Sequence, residues 1–351
     1  MDLAFYKDKT VLVTGHTGFK GTWLTRILIE QGANVIGYAL EPEDNPSFFV
    51  MSNNKKHMTS VIGDVLDLNK LQAVFDIHQP EIVFHMAAQP LVRLSYEKPV
   101  ETYNVNVMGT VHILECIRKC PSVKSFVNVT TDKVYFNQEI DYGYVEDDRL
   151  DGFDPYSNSK SCSELVTGSY RNAFFRGRDI AISTARSGNV IGGGDFAKDR
   201  IIPDCYRSAK DQKPIVVRNP NSTRPYQHVL ETLRAYLLIA MRQWNDKSLA
   251  GAYNIGPNDQ DTLMTGKLVE IFCDAWSESS SWVIQQDPNA VHEARLLQLN
   301  HSKITSVMGW EPIWDAKEAV IQSVAWYKAF ISGQNIQELM REQIQEYFTL
   351  C

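Results

Sequence analysis

The sequence predicts an α/β fold, a doubly wound parallel sheet with a smaller C-terminal lobe, and three observations carry that prediction. Short β-branched runs alternate with amphipathic segments from Thr10 to Arg186, a glycine-spaced turn joins the first strand to the first helix, and the alternation loosens after Gly188. On this reading residues 1–186 form the first domain, with return segments around 224–256, and residues 187–351 mainly form the second lobe.

Thr10 to Thr14 is a short apolar run suited to a buried parallel strand. Trp23 to Gln31 carries Trp23, Leu24, Ile27 and Leu28 on one helical face, and Gly32 closes it. Val35 to Leu40 and Ser60 to Gly63 read as strands, Asn69 to Ile77 as a helix, and Ile82 to Met86 as a further strand. Asn104 to Lys119 and Ser157 to Phe175 read as two long helices, accompanied by strands at Lys124 to Val129 and Ile180 to Arg186. Such alternation requires a parallel sheet covered on both faces. Beyond Gly188, the run Gly192-Gly193-Gly194-Asp195 and isolated prolines (Pro203, Pro214, Pro220, Pro225, Pro257) predict mixed short elements, and Ser277 to Trp282 reads as a loop.

Composition narrows the function classes. At 351 residues and 44% hydrophobic content the chain supports a substantial core. Lys plus Arg number 35 against 42 Asp plus Glu, a net charge of −7, which argues against general attraction to nucleic acid or an anionic membrane. No run approaches the roughly 18 apolar residues of a membrane helix, and Met1 to Thr10 lacks the apolar stretch of a signal peptide. The six cysteines show neither a C-x-x-C pair nor regular spacing, so no metal is expected and a reduced, cytoplasmic setting is.

Gly15-His16-Thr17-Gly18-Phe19-Lys20-Gly21 places glycines three apart, twice, between the first strand and the first helix. Glycine at these places permits a tight turn, close approach of backbone N–H groups to a pyrophosphate, and close packing of helix on strand. This spacing resembles the Rossmann turn of the short-chain dehydrogenase/reductase superfamily, in particular its extended members that act on nucleotide sugars. The resemblance extends to Asp64 and Val65 after the third strand, where relatives place an aspartate against adenine. It extends also to Ala87, Ala88 and Gln89 after the fourth, where small residues let a cofactor lie against the backbone. Ala39 stands where many relatives hold a ribose-binding acid; Glu41 is the nearest substitute, and no arginine clamp for a 2′-phosphate is near, which favours NAD over NADP.

Tyr156-Ser157-Asn158-Ser159-Lys160 holds Tyr-x-x-x-Lys, whose spacing puts both side chains on one helical face. An ammonium near a phenol favours the phenolate, so Tyr156 is the expected base and Lys160 its support. Thr131 completes the hydroxyl, tyrosine and lysine set of the superfamily. Asp132 then resembles the acid of the sugar 4,6-dehydratases, where simple epimerases have small or neutral residues. Lys133 stands where most dehydratases have Glu, and together with His16-Thr17-Gly18-Phe19-Lys20-Gly21 it resembles the CDP-glucose 4,6-dehydratase branch. Asp154-Pro155-Tyr156-Ser157, Ser187 to Asp195, Asp199 to Asp204, Arg224 to Val229 and His292-Glu293-Ala294 extend the likeness over nearly the whole chain.

That resemblance implies roles. Tyr156 takes a proton from the sugar's 4-hydroxyl, Lys133 removes the carbon-5 proton, and Asp132 protonates the departing 6-hydroxyl. A lysine base must first be neutral, which an adjacent carboxylate opposes; a protonated Asp132 meets both needs. Arg224 is the candidate for the diphosphate and nucleobase and Asn189 resembles a substrate-binding asparagine, with Arg200 a further cation unless it pairs with Asp199 or Asp204. Arg295 reads equally well as a surface residue, and His228 as packed in the interior. The resemblance implies a CDP-glucose substrate and a homodimer formed through the two long helices. The alternatives are a dehydratase of another nucleotide sugar, an epimerase, or a cofactor-sensing module without catalysis.

Overall fold

The computed structural model describes residues 1–42, 45–277, 280–285 and 296–351. The apolar runs of the first half become β1 (Thr10–Thr14), β2 (Asn34–Ala39), β3 (Thr59–Ile62), β4 (Ile82–His85), β5 (Ser125–Thr131) and β6 (Ala181–Ser187). The second half adds β7 (Val190–Ile191), β8 (Ile215–Val217), β9 (Thr223–Arg224), β10 (Gln227–His228), β11 (Ala252–Ile255), β12 (Leu263–Met264) and β13 (Trp282–Ile284). One seven-stranded parallel sheet runs β11-β6-β5-β4-β1-β2-β3, so β1 lies between β2 and β4 and the winding reverses there. A crevice opens outside the carboxyl ends at such a reversal.

Successive strand residues serve opposite faces. Val11, Val13, Val35, Phe84 and Val127 join the core cluster on one side, and Leu12, Ile36, Val83 and Phe126 the cluster on the other. Helices Leu68–His78, Gly109–Lys119 and Pro155–Tyr170 contribute to the second cluster only, or line its edge, while Phe19–Glu30 and Val229–Asn245 contribute to the first.

The first helix starts at Phe19, not Trp23, because its opening turn is held by the glycine loop and shows no apolar period. Its predicted apolar face is buried in full. The first long helix is π-helical over Asn104–Met108 before Gly109–Lys119, and follows two short helices, Val92–Glu97 and Pro99–Tyr103, that the periodicity did not reveal. The second runs Pro155–Tyr170 and turns π-helical over Arg171–Phe175; Asp154 caps it, accepting from Ser157 N at 2.9 Å.

Beyond Gly188 the expected short elements are present as strands of two to four residues, but long helices accompany them. Val229–Asn245 is a 17-residue helix, and Thr265–Trp276, Ala316–Ile331 and Ile336–Thr349 are helices of comparable length. The first of these is buried on nearly every side, which removes the polar face that periodicity detects. Trp282, read as the end of a loop, opens β13, which pairs with β8. Asn300 Oδ1 accepts from Ser302 N at 2.8 Å at the start of helix Ser302–Met308.

Candidate active site

The loop after β1 turns sharply at Gly15, whose φ of +74° suits glycine. A side chain there would also meet Ala87 N at 2.8 Å. Gly21 lies in the first turn of the helix, where a Cβ would come within 2.1 Å of Gly15 O, so glycine is what lets the helix rest on the turn. Gly18 differs: a Cβ there meets only Gly15 O at 3.5 Å, an ordinary contact. The space that a side chain at Gly18 would take is in the cavity, beside the N-terminus of helix Phe19–Glu30, and it fits a pyrophosphate. Opposite, the Thr14 hydroxyl donates to His85 Nδ1 at 2.8 Å and accepts from Met86 N at 3.0 Å and Ala87 N at 3.2 Å, fixing the turn that carries Ala87 and Ala88. Burial, with the charge of Lys160, pushes His85 down to about 3, so its ring is neutral and Nδ1 is free to accept.

Gly15, Thr17, Gly18, Phe19, Lys20, Gly21, Asp64, Val65, Ala87 and Ala88 all line one cavity of about 1170 Å³. Thr17 Oγ1 donates to Leu40 O at 3.0 Å, and Asp64 Oδ1 accepts from Leu66 N at 2.9 Å. Gln89 is not brought to the cavity wall. Its amide bonds Thr102 Oγ1 at 2.8 Å and the Leu91 backbone, so it braces the turn from behind. Glu41 is exposed and absent from the lining, while β2 ends at Ala39 facing the cavity.

The end of β5 delivers Thr131 and Lys133 to the same cavity, while Asp132 between them is not part of its lining. Asp132 is fully buried, and its Oδ1 accepts from Thr131 Oγ1 and from Lys133 Nζ, both at 2.9 Å. Lys133 Nζ reaches Asn189 Oδ1 as well, at 3.1 Å. Asp132 Oδ2 has no hydrogen-bond partner within the protein. A buried carboxylate oxygen without a donor is costly, and a substrate hydroxyl would satisfy it. Gly188 makes room for this group: a Cβ there would stand 3.2 Å from Asp132 Oδ2 and 2.5 Å from Pro225 Cγ.

Tyr156 and Lys160 come from the start of helix Pro155–Tyr170 and line the cavity together. Lys160 Nζ donates to Val129 O at 3.1 Å; burial and the charge of Lys20 push it down to about 8. Lys20 itself is lowered to about 8, by burial and by Arg200, and donates to Ser187 Oγ and Tyr236 OH at 3.4 and 3.3 Å. Burial dominates and pushes Tyr156 up to about 12, with the Thr131 hydrogen bond acting against it.

Beyond β6, Asn189, Arg200 and Arg224 also line the cavity. Arg200 pairs with neither Asp199 nor Asp204; its Nη1 lies 2.9 Å from Asp195 Oδ2, while Asp204 pairs with Arg207 and Asp199 with Arg218. Arg224 Nη1 donates to Thr223 O at 3.0 Å. His228 is wholly buried, accepts from Leu230 N at 3.3 Å and packs against Trp314; burial pushes it down to about 3, which keeps it uncharged. His292, Glu293, Ala294 and Arg295 lie outside the described residues.

One part of the site was missed. Beneath the ends of β5 and β6, Glu164 and Arg186 form a buried pair at 2.9 Å. Glu164 also accepts from Thr130 and Thr184, and Arg186 donates to Tyr135 OH at 2.8 Å. An arginine inside the apolar run of β6 was the available signal, since such a charge needs a buried partner. Among the described residues no group of His, Cys, Asp or Glu could hold a metal, and no helix is long and apolar enough to cross a membrane.

The fold and the site together define a member of the extended short-chain dehydrogenase/reductase class. More narrowly, the chain belongs to the GDP-mannose 4,6 dehydratase family, whose model matches residues 12–322. It is 44% identical over 355 residues to the CDP-glucose 4,6-dehydratase of Salmonella typhimurium, with 99% of each chain covered. A dTDP-glucose 4,6-dehydratase of Streptomyces venezuelae, solved with NAD and TYD bound, shares the fold at a TM-score of 0.77 and 22% identity, covering 93% of this chain and 98% of its own. An epimerase of Methanothermobacter thermautotrophicus aligns with a TM-score of 0.82 at 24% identity, over 97% and 96% of the two chains.

Proposed function

We propose that this chain is a lyase that converts CDP-D-glucose to CDP-4-keto-6-deoxy-D-glucose, with NAD as an internally recycled cofactor. The observation that carries the reading is the ion pair of the buried Asp132 with Lys133, which lines the cavity beside Thr131 and Tyr156. The full-length likeness to the Salmonella enzyme supports it.

NAD is assigned to the glycine cradle, with its pyrophosphate against Gly18 and the first turn of helix Phe19–Glu30, and with Asp64 and Ala87 along its length. No basic residue stands at Ala39, Leu40 or Glu41 to favour a 2′-phosphate. The chemistry a bound NAD supplies is reversible acceptance of hydride and a positive charge beside Tyr156. The chain supplies the proton transfers. Tyr156 takes the 4-hydroxyl proton while Thr131 holds that oxygen, and the resulting ketone acidifies carbon 5. Lys133 removes the carbon-5 proton and Asp132 protonates the departing 6-hydroxyl, so water leaves. The 2.9 Å hydrogen bond from Lys133 Nζ to Asp132 Oδ1 links the two groups assigned to the elimination. Arg224 is assigned to the diphosphate and Asn189 to the sugar, with Arg200 adding positive charge.

Incubation of the purified protein with CDP-glucose in deuterated water tests this. A 4-keto product with deuterium at carbon 5 is expected; inversion at carbon 4 would identify an epimerase, and absence of turnover with CDP-glucose would overturn the assignment.

We also propose a homodimer through the two long helices. Met108, Leu165 and Phe174 are 42%, 60% and 46% exposed on them, more apolar surface than solvent favours. Leu165→Glu should halve the mass measured by light scattering; an unchanged mass would place any interface elsewhere. A reduced, cytoplasmic setting suits six free cysteines.

A further inference from the structure

From the Asp132 and Lys133 pair the cavity wall continues through linked contacts into the second lobe. Asn189, which receives Lys133, has its carbonyl bonded to Gln227 N at 3.1 Å. Next to it, Tyr226 OH meets Thr265 Oγ1 at 2.9 Å, Thr265 meets Ser222 Oγ at 2.8 Å, and Ser222 donates to Asn219 O at 3.0 Å. Arg224 stands along this path and Arg218 at its end, beside the half-exposed apolar Val216; all three line the cavity. A nucleotide sugar with its glucose at Lys133 and its diphosphate at Arg224 carries its base to Arg218.

At that end, Arg218 Nη1 and Nη2 donate to Asp199 Oδ1 at 3.1 and 3.0 Å, and Arg93 Nη1 lies 3.5 Å from the same oxygen. Both cations crowd one oxygen, and none of these contacts uses Oδ2. Asp199 holds a φ of +61°, uncommon for a residue other than glycine. The Arg218 and Asp199 side chains are 43% and 42% exposed, so as a surface ion pair they add little to stability. Their place in the ligand cavity points to recognition instead.

We propose that Asp199 and Arg218 read the hydrogen-bonding edge of the substrate's cytosine and set the preference for a cytidine nucleotide. This rests on the reading of the substrate as a CDP-sugar. Cytosine presents an amino donor beside a ring-nitrogen and a carbonyl acceptor. Asp199 Oδ2 accepts from the amino group and the Arg218 guanidinium donates to the two acceptors, with the ring face on Val216. Uracil and thymine present a carbonyl where cytosine has the amino group and an N–H where it has the ring-nitrogen acceptor, so the Asp199 contact and the Arg218 contact to the ring nitrogen become repulsive while the one to the shared carbonyl remains.

Dissociation constants of CDP, UDP, dTDP and GDP for the purified full chain test this by calorimetry. CDP should bind at least about ten-fold more tightly than UDP or dTDP, the discrimination of one good bidentate contact. Asp199→Asn and Arg218→Lys should each shrink the CDP to UDP ratio several-fold, with the loss falling on CDP. Equal weakening of every nucleotide in both variants would reduce the pair to a general charge contact and overturn the proposal, as would an unchanged ratio or tighter binding of GDP than CDP. If the unaltered chain dehydrates CDP-glucose while the ratio stays fixed in both variants, this inference alone fails. If it dehydrates a uridine or thymidine sugar and not CDP-glucose, the proposed function fails with it.

Discussion

Replacing Tyr156 with Phe is expected to stop the reaction before any hydride leaves the sugar, lowering kcat by about a thousand-fold, within the range found for loss of a positioned base. The ring keeps its packing and loses only the hydroxyl that lines the cavity next to Thr131. No reduced-nicotinamide absorbance should build up on mixing with CDP-glucose, and no deuterium should enter carbon 5; either signal would assign the first proton transfer to another group. The pH dependence follows from the same cluster. With burial holding Tyr156 up at about 12, the phenolate depends on positive charge around it. Lys160 and Lys20, each lowered to about 8, lose their protons as pH rises through that value and withdraw charge from the site. The kcat/KM profile is therefore expected to fall above about pH 8, and Lys20→Met, which removes one of the two charges, should move that falling limb.

What was legible in the sequence was local. The glycine loop announces itself because its demands on backbone space concern residues next to one another, and Tyr156 and Lys160 because one helical turn joins them. Gln89 shows the limit of that kind of reading. It has the expected place after β4, yet its amide is used on Thr102 and Leu91, and nothing near it in sequence reveals that Thr102 is its partner. Arg200 fails in the same way. Two aspartates flank it in sequence, and it pairs with Asp195, five residues back across a loop. Helix Val229–Asn245 was hidden for the opposite reason, since total burial erases the polar stripe from which helices are recognised.

Glu164 and Arg186 explain why so polar a floor can be built at the end of a buried strand. β5 and β6 are buried along their whole length, so the charged groups at their ends have no water to rely on. The pair, with Thr130, Thr184 and Tyr135 around it, supplies most of the partners in the layer immediately below Thr131, although Arg186 Nε has none within the protein. Asp132 Oδ2 is likewise buried without a partner.

Lys133→Met separates the second step from the first. Methionine keeps most of the aliphatic stem, so substrate and cofactor should still bind, and Tyr156 can still take the 4-hydroxyl proton. Hydride should leave the sugar and then return to carbon 4, giving a transient reduced-nicotinamide signal without product. Dehydration and deuterium entry at carbon 5 should fall together by at least about a hundred-fold. Stability should fall as well. The substitution leaves the fully buried Asp132 carboxylate without its cation, so a decrease of about 3 kcal/mol is expected and a thermal melt would detect it. Retained dehydration would remove Lys133 from the elimination. Loss of the transient signal as well would place the lysine in the oxidation step with Tyr156. Asp132→Asn gives the complementary result: its amide cannot protonate the 6-hydroxyl, so Lys133, freed of the carboxylate, should still exchange the carbon-5 proton with solvent. Deuterium would then enter carbon 5 of recovered substrate while water loss is blocked. Exchange without elimination in Asp132→Asn, and neither in Lys133→Met, is the pattern that only a divided acid and base produce.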